Sequence, residues 1–229
     1  MSYTPLSRTS DLQRVLEPEV MDTHEEADGY AAMDHTAPNT AFVDRLIELG
    51  AHGAAVDIGC GPGTIPLMVV ERIPEIHVTA VDLSEKMLAH ARRLAAASPH
   101  AARLAFELGD AKGMGHEMHS FDTVFSNTIL HHIPDPTHLL MEAERLLAPG
   151  GTLLIRDLYR PANQAELDRL VAKHAANDTP YNRELFRASL HAALTIEELE
   201  GIAEDAELAD AELVIDSDRH MSLQLRAGH

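Results

Sequence analysis

Val56-Asp57-Ile58-Gly59-Cys60-Gly61-Pro62-Gly63-Thr64-Ile65-Pro66 puts an acidic residue and three alternating glycines where an apolar strand gives way to a helix. Residues 54–58 (Ala, Ala, Val, Asp, Ile) read as a short buried strand. Glycines at such a turn let a ligand reach backbone that any Cβ would cover, so a cofactor is expected there. Thr64 and Pro66 open the helix, because proline is tolerated in a first turn whose N–H groups lack partners.

Two glycine fingerprints share this location, the dinucleotide G-x-G-x-x-G/A and the phosphate-binding G-x-x-x-x-G-K-[ST]. Neither fits. The spacing is G-x-G-x-G, Thr64 stands where the last dinucleotide glycine would be, and no lysine follows to reach a phosphate. Asp57 adds a carboxylate beside the turn, which repels a pyrophosphate and suits a ligand carrying an ammonium or sulfonium group.

The next apolar run, His77-Val78-Thr79-Ala80-Val81-Asp82, also ends in an aspartate and continues as Leu83-Ser84-Glu85-Lys86-Met87-Leu88. A carboxylate at the end of a second strand can accept from both hydroxyls of a ribose, with Leu83 and Met87 flanking a base. The plainer reading makes Asp82 a turn residue, Ser84 the N-cap of a helix over 85–97, and Met87 core on that helix.

The blocks VDIGCGPGTIP, VDLSEKML, LGDA (108–111), FDTVFSNTILHHIPDP (121–136) and LLAPGGTLLIRD (146–157) occur in that order. Together they resemble class I S-adenosylmethionine-dependent methyltransferases over roughly residues 40–160, and no lone glycine motif is as specific. The resemblance implies an α/β fold, a Rossmann-like doubly wound sheet of seven mostly parallel strands with an antiparallel last strand. It implies S-adenosylmethionine as cofactor, with Gly59, Gly61 and Gly63 lining its methionine part and Asp82 on the ribose; Asp57 and Cys60 beside the turn, and Leu83 and Met87 flanking the adenine, complete the candidate cofactor residues. Asp110 and Ala111 would meet the adenine edge, Asn127 would border the transferring methyl, and His132 aligns with a position near the cofactor.

Composition agrees with a single enzyme domain. With 229 residues, 45% of them hydrophobic, the chain can bury one substantial core. Its 37 acidic against 18 basic residues give a formal net charge of −19, which repels phosphate backbones and anionic membranes. Nucleic acid and membrane are therefore not expected as partners; a small molecule is, acting on a monomer or homodimer. The single cysteine, Cys60, excludes an internal disulfide and a cysteine-based zinc site, and reads as a small residue packed by the cofactor. MSYTPLSRTSDLQRV lacks a charged start followed by an apolar core, so a cytoplasmic location is expected.

Along the chain, residues 1–38 are polar and acidic, with Glu17, Glu19, Asp22, Glu25, Glu26, Asp28 and Asp34, and read as a cap on the domain formed by 39–229. Phe42, Leu46, Ile47 and Leu49 suit an amphipathic helix. Strand and helix then alternate: strand 54–58, helix 64–73, strand 77–82, helix 85–97, strands 103–107 and 121–126, helix 136–147, strand 152–157. Asp135 is expected to cap helix 136–147, and Pro149-Gly150-Gly151 to end it. A helical insertion at about 160–195 carries helices near 163–175 and 183–193. Thr195 and Glu198 form a capping box for a helix to about 206, and 212–216 and 221–226 read as closing strands.

Catalytic candidates are His131 and His132, just past the fourth strand, whose unperturbed pKa suits a general base. His132 reads more readily as lining the cofactor and His131 as the base. Tyr30 in the cap and Arg156 at the end of the fifth strand are further candidates, with Asp157, Arg160, Phe186, Arg187 and His191 as residues able to face a substrate. Arg156 and Asp157 alternate in direction, so at most one points to the pocket. His116, His119, His131, His132 and His138 cluster in sequence without a metal-ligand spacing, so no metal is expected. The reading is methyl transfer to a small-molecule acceptor by in-line displacement. The alternatives are an S-adenosylmethionine-using cyclase or decarboxylase, or an inactive S-adenosylmethionine-binding partner protein.

Overall fold

The structure is a computed structural model that describes residues 8–17 and 35–228. Seven strands form one sheet in the order β3-β2-β1-β4-β5-β7-β6. They are β1 (Ala54–Ile58), β2 (His77–Asp82), β3 (Leu104–Leu108), β4 (Phe121–Asn127), β5 (Leu147–Leu158), β6 (Glu212–Ile215) and β7 (His220–Leu225). β1 to β5 pair in parallel, whereas β7 runs antiparallel to both β5 and β6. This is the doubly wound, mostly parallel sheet with an antiparallel last strand that the sequence implies.

β1 pairs β2 on one side and β4 on the other. The chain therefore reverses its winding at β1, and such a switch point opens a crevice beyond the carboxyl ends of the strands. Helices cover both faces: α1 (Thr36–Leu49), α2 (Thr64–Arg72), α3 (Glu85–Ala96), α4 (Thr137–Leu146), α5 (Gln164–His174), α6 (Pro180–Ala192) and α7 (Ile196–Asp205).

Successive strand residues point to opposite faces, and they divide the core accordingly. Val56, Val124, Leu153 and Ile155 pack with Leu139, Leu140 and Leu146 of α4 and Leu199 of α7. Ala55, Phe125 and Leu154 pack on the other face with Phe42, Val43 and Leu46 of α1 and Val69 of α2. All of these are at most 1% exposed, and burying each large side chain stabilises the fold by about 1.5–3 kcal/mol before conformational entropy is counted.

The inserted helices α5 and α6 have a core of their own, Leu158, Leu167, Leu170, Val171 and Leu190, with Leu12 packed against it. The N-terminal segment lies on this insertion. The Asp11 N–H donates to Ala162 O at 2.8 Å and the Val15 N–H to His191 O at 3.1 Å.

Local chemistry explains the element ends. Ser84 accepts from the Met87 N–H at the start of α3, and the Thr195/Glu198 capping box of α7 is complete. Three expectations need correction. Pro136, not Asp135, is the N-cap of α4, although Asp135 Oδ1 still accepts from the Thr137 N–H at 3.1 Å. Pro149-Gly150-Gly151 does not separate helix from strand: β5 already begins at Leu147, with a register shift opposite Phe121 and Thr123 absorbing the turn. α6 starts three residues before the expected 183, because Thr179 accepts from the Asn182 N–H and Pro180 fills the first turn.

Candidate active site

The glycine turn closes over the end of β2. Gly59 and Cys60 donate their N–H groups to Val81 O at 2.8 and 3.0 Å. The Gly61 N–H donates to Asp82 Oδ2 and the Ser84 N–H to Asp82 Oδ1, both at 2.8 Å. Asp82 thus ties the first loop to the second. A carboxylate offers about four lone-pair sites, so beside the backbone bonds of Gly61, Ser84 and Leu83 it can still accept from a ligand. Burial raises its pKa despite the opposing backbone bonds from Ser84 and Gly61.

Two of the glycines do different work. Gly61 has φ +52° and a Cβ there would meet nothing within 4 Å, so the missing side chain leaves free space at the cleft wall. Gly63, the left-handed N-cap of α2, would place a Cβ 2.6 Å from Ala91 Cβ and 2.9 Å from Ala91 Cα. Its role is close packing of α2 on α3.

An open cleft is lined from four strand ends, the place where open α/β sheets bind ligands. Gly59 and Gly61 come from the first loop, Asp82, Leu83 and Met87 from the second, Asp110 and Ala111 from the third, and Asn127 and His132 from the fourth. These are the residues expected to face a cofactor. Asp57, Cys60 and Gly63 stand behind the wall instead. Asp57 is 2% exposed, and its Oδ2 makes no hydrogen bond to any described residue. Burial, then the charge of Asp82, pushes its carboxyl well above the usual range. Burial and the same two aspartates push the Cys60 thiol up, which makes it a poor nucleophile.

At the end of β4, Asn127 is held from behind. Arg156 Nε donates to Asn127 Oδ1 and Arg156 Nη2 to Pro38 O, both at 2.9 Å, while the guanidinium lies 4.8 Å from the Phe42 ring centroid. Burial lowers the Arg156 pKa to about 10, which still leaves the group charged at neutral pH. Arg156 therefore positions a cleft residue without lining the cleft itself. Next in the chain, Thr128 has φ +59°, an uncommon conformation for a residue with a Cβ. Its N–H donates to Arg156 O at 2.8 Å and its Oγ1 accepts from Asn127 Nδ2 at 2.9 Å, so three residues lock one another.

Asp157 points the other way. Its Oδ1 accepts from His131 Nδ1 at 2.6 Å and its Oδ2 from the His131 N–H at 3.2 Å. Burial opposes the charged forms of both, but the mutual attraction wins: the His131 pKa is raised and that of Asp157 lowered. His131 is 3% exposed and lies behind the wall, whereas His132 lines it. The two rings are neighbours, with centroids 4.1 Å apart and planes tilted by 38°. His132, read from sequence as lining the cofactor, meets the cleft, and His131, the candidate base, is buried behind it.

The remaining candidates do not gather at the cleft. Arg160 is buried and bonds Glu198 Oε1 at 2.6 Å and Ala193 O at 3.1 Å, tying the chain just past β5 to α7. Arg187 pairs with Asp168 at the surface, Phe186 packs in the insertion under Arg219, and the carbonyl of His191 receives Val15. Tyr30 lies outside the described residues. His116 pairs with Glu107 at 3.0 Å, and His119 Nδ1 contacts Leu147 O at 2.7 Å, so the run of histidines disperses.

The sequence reading missed Glu17 as a site residue. Its Oε2 is 3.4 Å from His132 Nδ1 and 3.8 Å from His131 Nε2. Nothing local distinguishes it from the other acidic residues of the N-terminal stretch. Thr128, Ile129 and Ile133 also line the cleft, and their place between Asn127 and the histidine pair was the available signal. No helix among the described residues is long and apolar enough to cross a membrane.

Residues 49–211 match a methyltransferase-domain family. The 27-O-demethylrifamycin SV methyltransferase of Amycolatopsis mediterranei is 34% identical over 56% of this chain and 48% of its own. A trans-aconitate 2-methyltransferase of Methylobacterium nodulans is 32% identical over 69% of this chain and 57% of its own. The chain thus spans about half the length of the curated relatives it matches. A solved structure from Methanococcus maripaludis, assigned as an S-adenosylmethionine-dependent methyltransferase, shares the fold with a TM-score of 0.71 at 18% identity, covering 100% of this chain and 98% of that one.

Proposed function

We propose, from the premise that this chain belongs to the methyltransferase-domain family, that it binds S-adenosylmethionine in the cleft and transfers the methyl group to a small-molecule acceptor. The observation that carries the reading is Asp82: one carboxylate shapes the glycine turn through the Gly61 N–H and also faces the cleft beside Leu83 and Met87.

The residues fit this cofactor. The wall carries Asp82 and Asp110, and its lysine, Lys112, is already paired with Asp110 at 3.3 Å. Such a wall favours a cation over a diphosphate. Gly61 leaves room for close approach. Asp82 would hold the ribose, Leu83 and Met87 the adenine, Asp110 and Ala111 its edge, and Gly59 and Gly61 the amino-acid end.

Bound there, the cofactor supplies an electrophilic methyl on a positively charged sulfur, which leaves as a neutral thioether. The protein's part is placement. Aligning two reactants is worth roughly 7–11 kcal/mol, and Asn127, locked by Arg156 and Thr128, gives the fourth strand end a fixed edge for that purpose. A general base would add about 10² to 10⁴ fold for an acceptor that still carries its proton. Small acceptors suit a chain of net charge −19; methyltransferases acting on a rifamycin and on trans-aconitate are among its relatives.

The test is a panel of small metabolites incubated with methyl-labelled S-adenosylmethionine. Label in one acceptor class, dependent on Asp82, is the expected result. Cofactor binding with no transfer to any acceptor would leave an inactive binding protein.

A further inference from the structure

The described N-terminal segment does more than cover the insertion: it is clamped to the rim of the cleft. Arg14 donates Nε to Ala192 O at 2.7 Å, Nη1 to Pro134 O at 2.8 Å and Nη2 to Ile133 O at 2.9 Å. These bonds set Glu17, three residues on, against the 3₁₀ turn Leu130–His132. Ser189 Oγ of α6 then donates to the Glu17 carboxylate, 3.1 Å from Oε1 and 3.3 Å from Oε2.

The result is a convergence of three metal-binding side chains from two distant parts of the chain. One ligand atom from each of Glu17, His131 and His132 lies within 4.8 Å of the others, and the side chains are only 10%, 4% and 17% exposed. We propose that Glu17, His131 and His132 form a binding site for one divalent transition-metal ion, with two imidazoles and one carboxylate as ligands and further positions left open.

Three features of the geometry support the assignment. Glu17 Oε2 is 3.4 Å from His132 Nδ1 and 3.8 Å from His131 Nε2, both longer than a hydrogen bond of about 2.7–3.2 Å. Ligand atoms at about 2.0–2.2 Å from a shared ion stand roughly 3 to 3.5 Å apart. The Glu17 oxygen therefore stands from both nitrogens at close to the spacing of co-ligands, the longer separation needing only a small side-chain rotation, and the two nitrogens lie within 4.8 Å of each other.

Second, the other nitrogen of His131 is taken. Nδ1 bonds Asp157 at 2.6 Å, and Asp157 is itself held by the Leu158 N–H at 2.6 Å. A carboxylate on the far nitrogen fixes the tautomer and turns the near one into a ligand, the usual arrangement behind a metal-bound histidine. Third, Ser189 orients Glu17 from outside in the same way. Two nitrogens and one oxygen, borderline in softness, suit ions of the zinc, cobalt or iron(II) kind better than magnesium or calcium.

The competing account is a protonated His131 shared between Asp157 and Glu17, in which a proton supplies the positive charge. It would make Glu17 a latch and leave the chain without metal affinity. The two accounts separate by metal binding alone, independently of whether the cleft transfers a methyl group.

The experiment strips the full-length protein with a chelator and titrates it with cobalt(II) by visible absorption and with zinc(II) by calorimetry. One equivalent should bind with a nitrogen- and oxygen-ligated cobalt spectrum, and Glu17→Ala should weaken binding at least 10-fold. Asp157→Asn should weaken it by 10- to 100-fold, as loss of a supporting carboxylate does. A circular-dichroism melt shows whether each variant is folded; if His131→Ala is not, Glu17→Ala decides. Absence of a stoichiometric cobalt spectrum in the parent, or a spectrum that persists unchanged in folded Glu17→Ala, overturns the assignment.

Discussion

The Asp82 carboxylate accepts from the Gly61 N–H at 2.8 Å, so the end of the second strand holds the turn that follows the first. One acidic side chain thereby links the two loops of the cleft and remains available to a ligand. Asp82→Ala should lower affinity for S-adenosylhomocysteine by the worth of a charge-assisted bond, about 1.5–3 kcal/mol or roughly 10- to 150-fold. Calorimetry giving equal affinities for parent and variant would remove Asp82 from the site.

Gly61 and Gly63 should respond differently to the same added methyl. A Cβ at Gly61 projects into free space, so Gly61→Ala should weaken cofactor binding, with stability reduced by the left-handed backbone alone, about 1–2 kcal/mol. Gly63→Ala adds a collision with the Ala91 backbone to a φ of +82° and should cost more in thermal stability. Melting curves with and without S-adenosylhomocysteine distinguish them; a larger stability loss at Gly61 would reverse the assignment.

Arg156 and Asn127 should behave as one unit. Arg156→Lys keeps the charge but has no Nε for Asn127 Oδ1, and Asn127→Ala removes the same bond from the other side. Each substitution should destabilise, and the double variant should cost less than the sum by about 0.5–3 kcal/mol. Additive losses in a urea denaturation cycle would show that the two side chains do not depend on each other.

The His131–Asp157 pair gives stability a pH window. His131 has a folded pKa raised above 6.5, so its contribution is complete below 6.5 and is lost as pH rises through the folded value. Asp157 has a lowered pKa, so its contribution holds above 3.8 and is lost as pH falls through its own folded value. Unfolding free energy should therefore decline on the alkaline side of 6.5 in the parent, and that decline should vanish in His131→Gln. An identical alkaline profile in both proteins would separate the pair from the pH dependence.

His220 predicts acid sensitivity of the opposite origin. Burial, with the charges of Arg156 and Arg219 adding to it, holds its pKa down to about 3. The folded protein stays unprotonated there while the unfolded chain takes up a proton below 6.5, so stability falls between 6.5 and about 3. At about 1.4 kcal/mol per pH unit the full interval is on the order of 5 kcal/mol. His220→Asn should flatten this part of the curve, and an unchanged slope would locate the acid sensitivity elsewhere.

What was legible in the chain was what local pattern controls. The alternation of apolar runs gave the parallel sheet, since strands buried on both faces must read as continuous Val, Ile, Leu and Phe. The glycine turn and the aspartate that ends β2 placed the cleft, because both are next in sequence to, or part of, the strands that carry them. Contacts that join distant parts were not legible. Glu17 meets His132 only because Arg14 clamps a segment more than a hundred residues upstream, and no period or spacing encodes that. The burial of His131 was not legible for a similar reason: the short turn Leu130–His132 decides which ring faces the cleft, and Asp157 receives His131 from behind.

The central claim is that the cleft beside Gly59 and Gly61 takes a cationic sulfur nucleoside and not a dinucleotide. Equilibrium binding of S-adenosylmethionine and of NADH to the same preparation tests it most directly. One equivalent of S-adenosylmethionine, displaced by S-adenosylhomocysteine and weakened by Asp82→Ala, with no saturable NADH binding, is the expected result. Saturable NADH binding at this cleft, or no binding of S-adenosylmethionine at millimolar concentration, would contradict it.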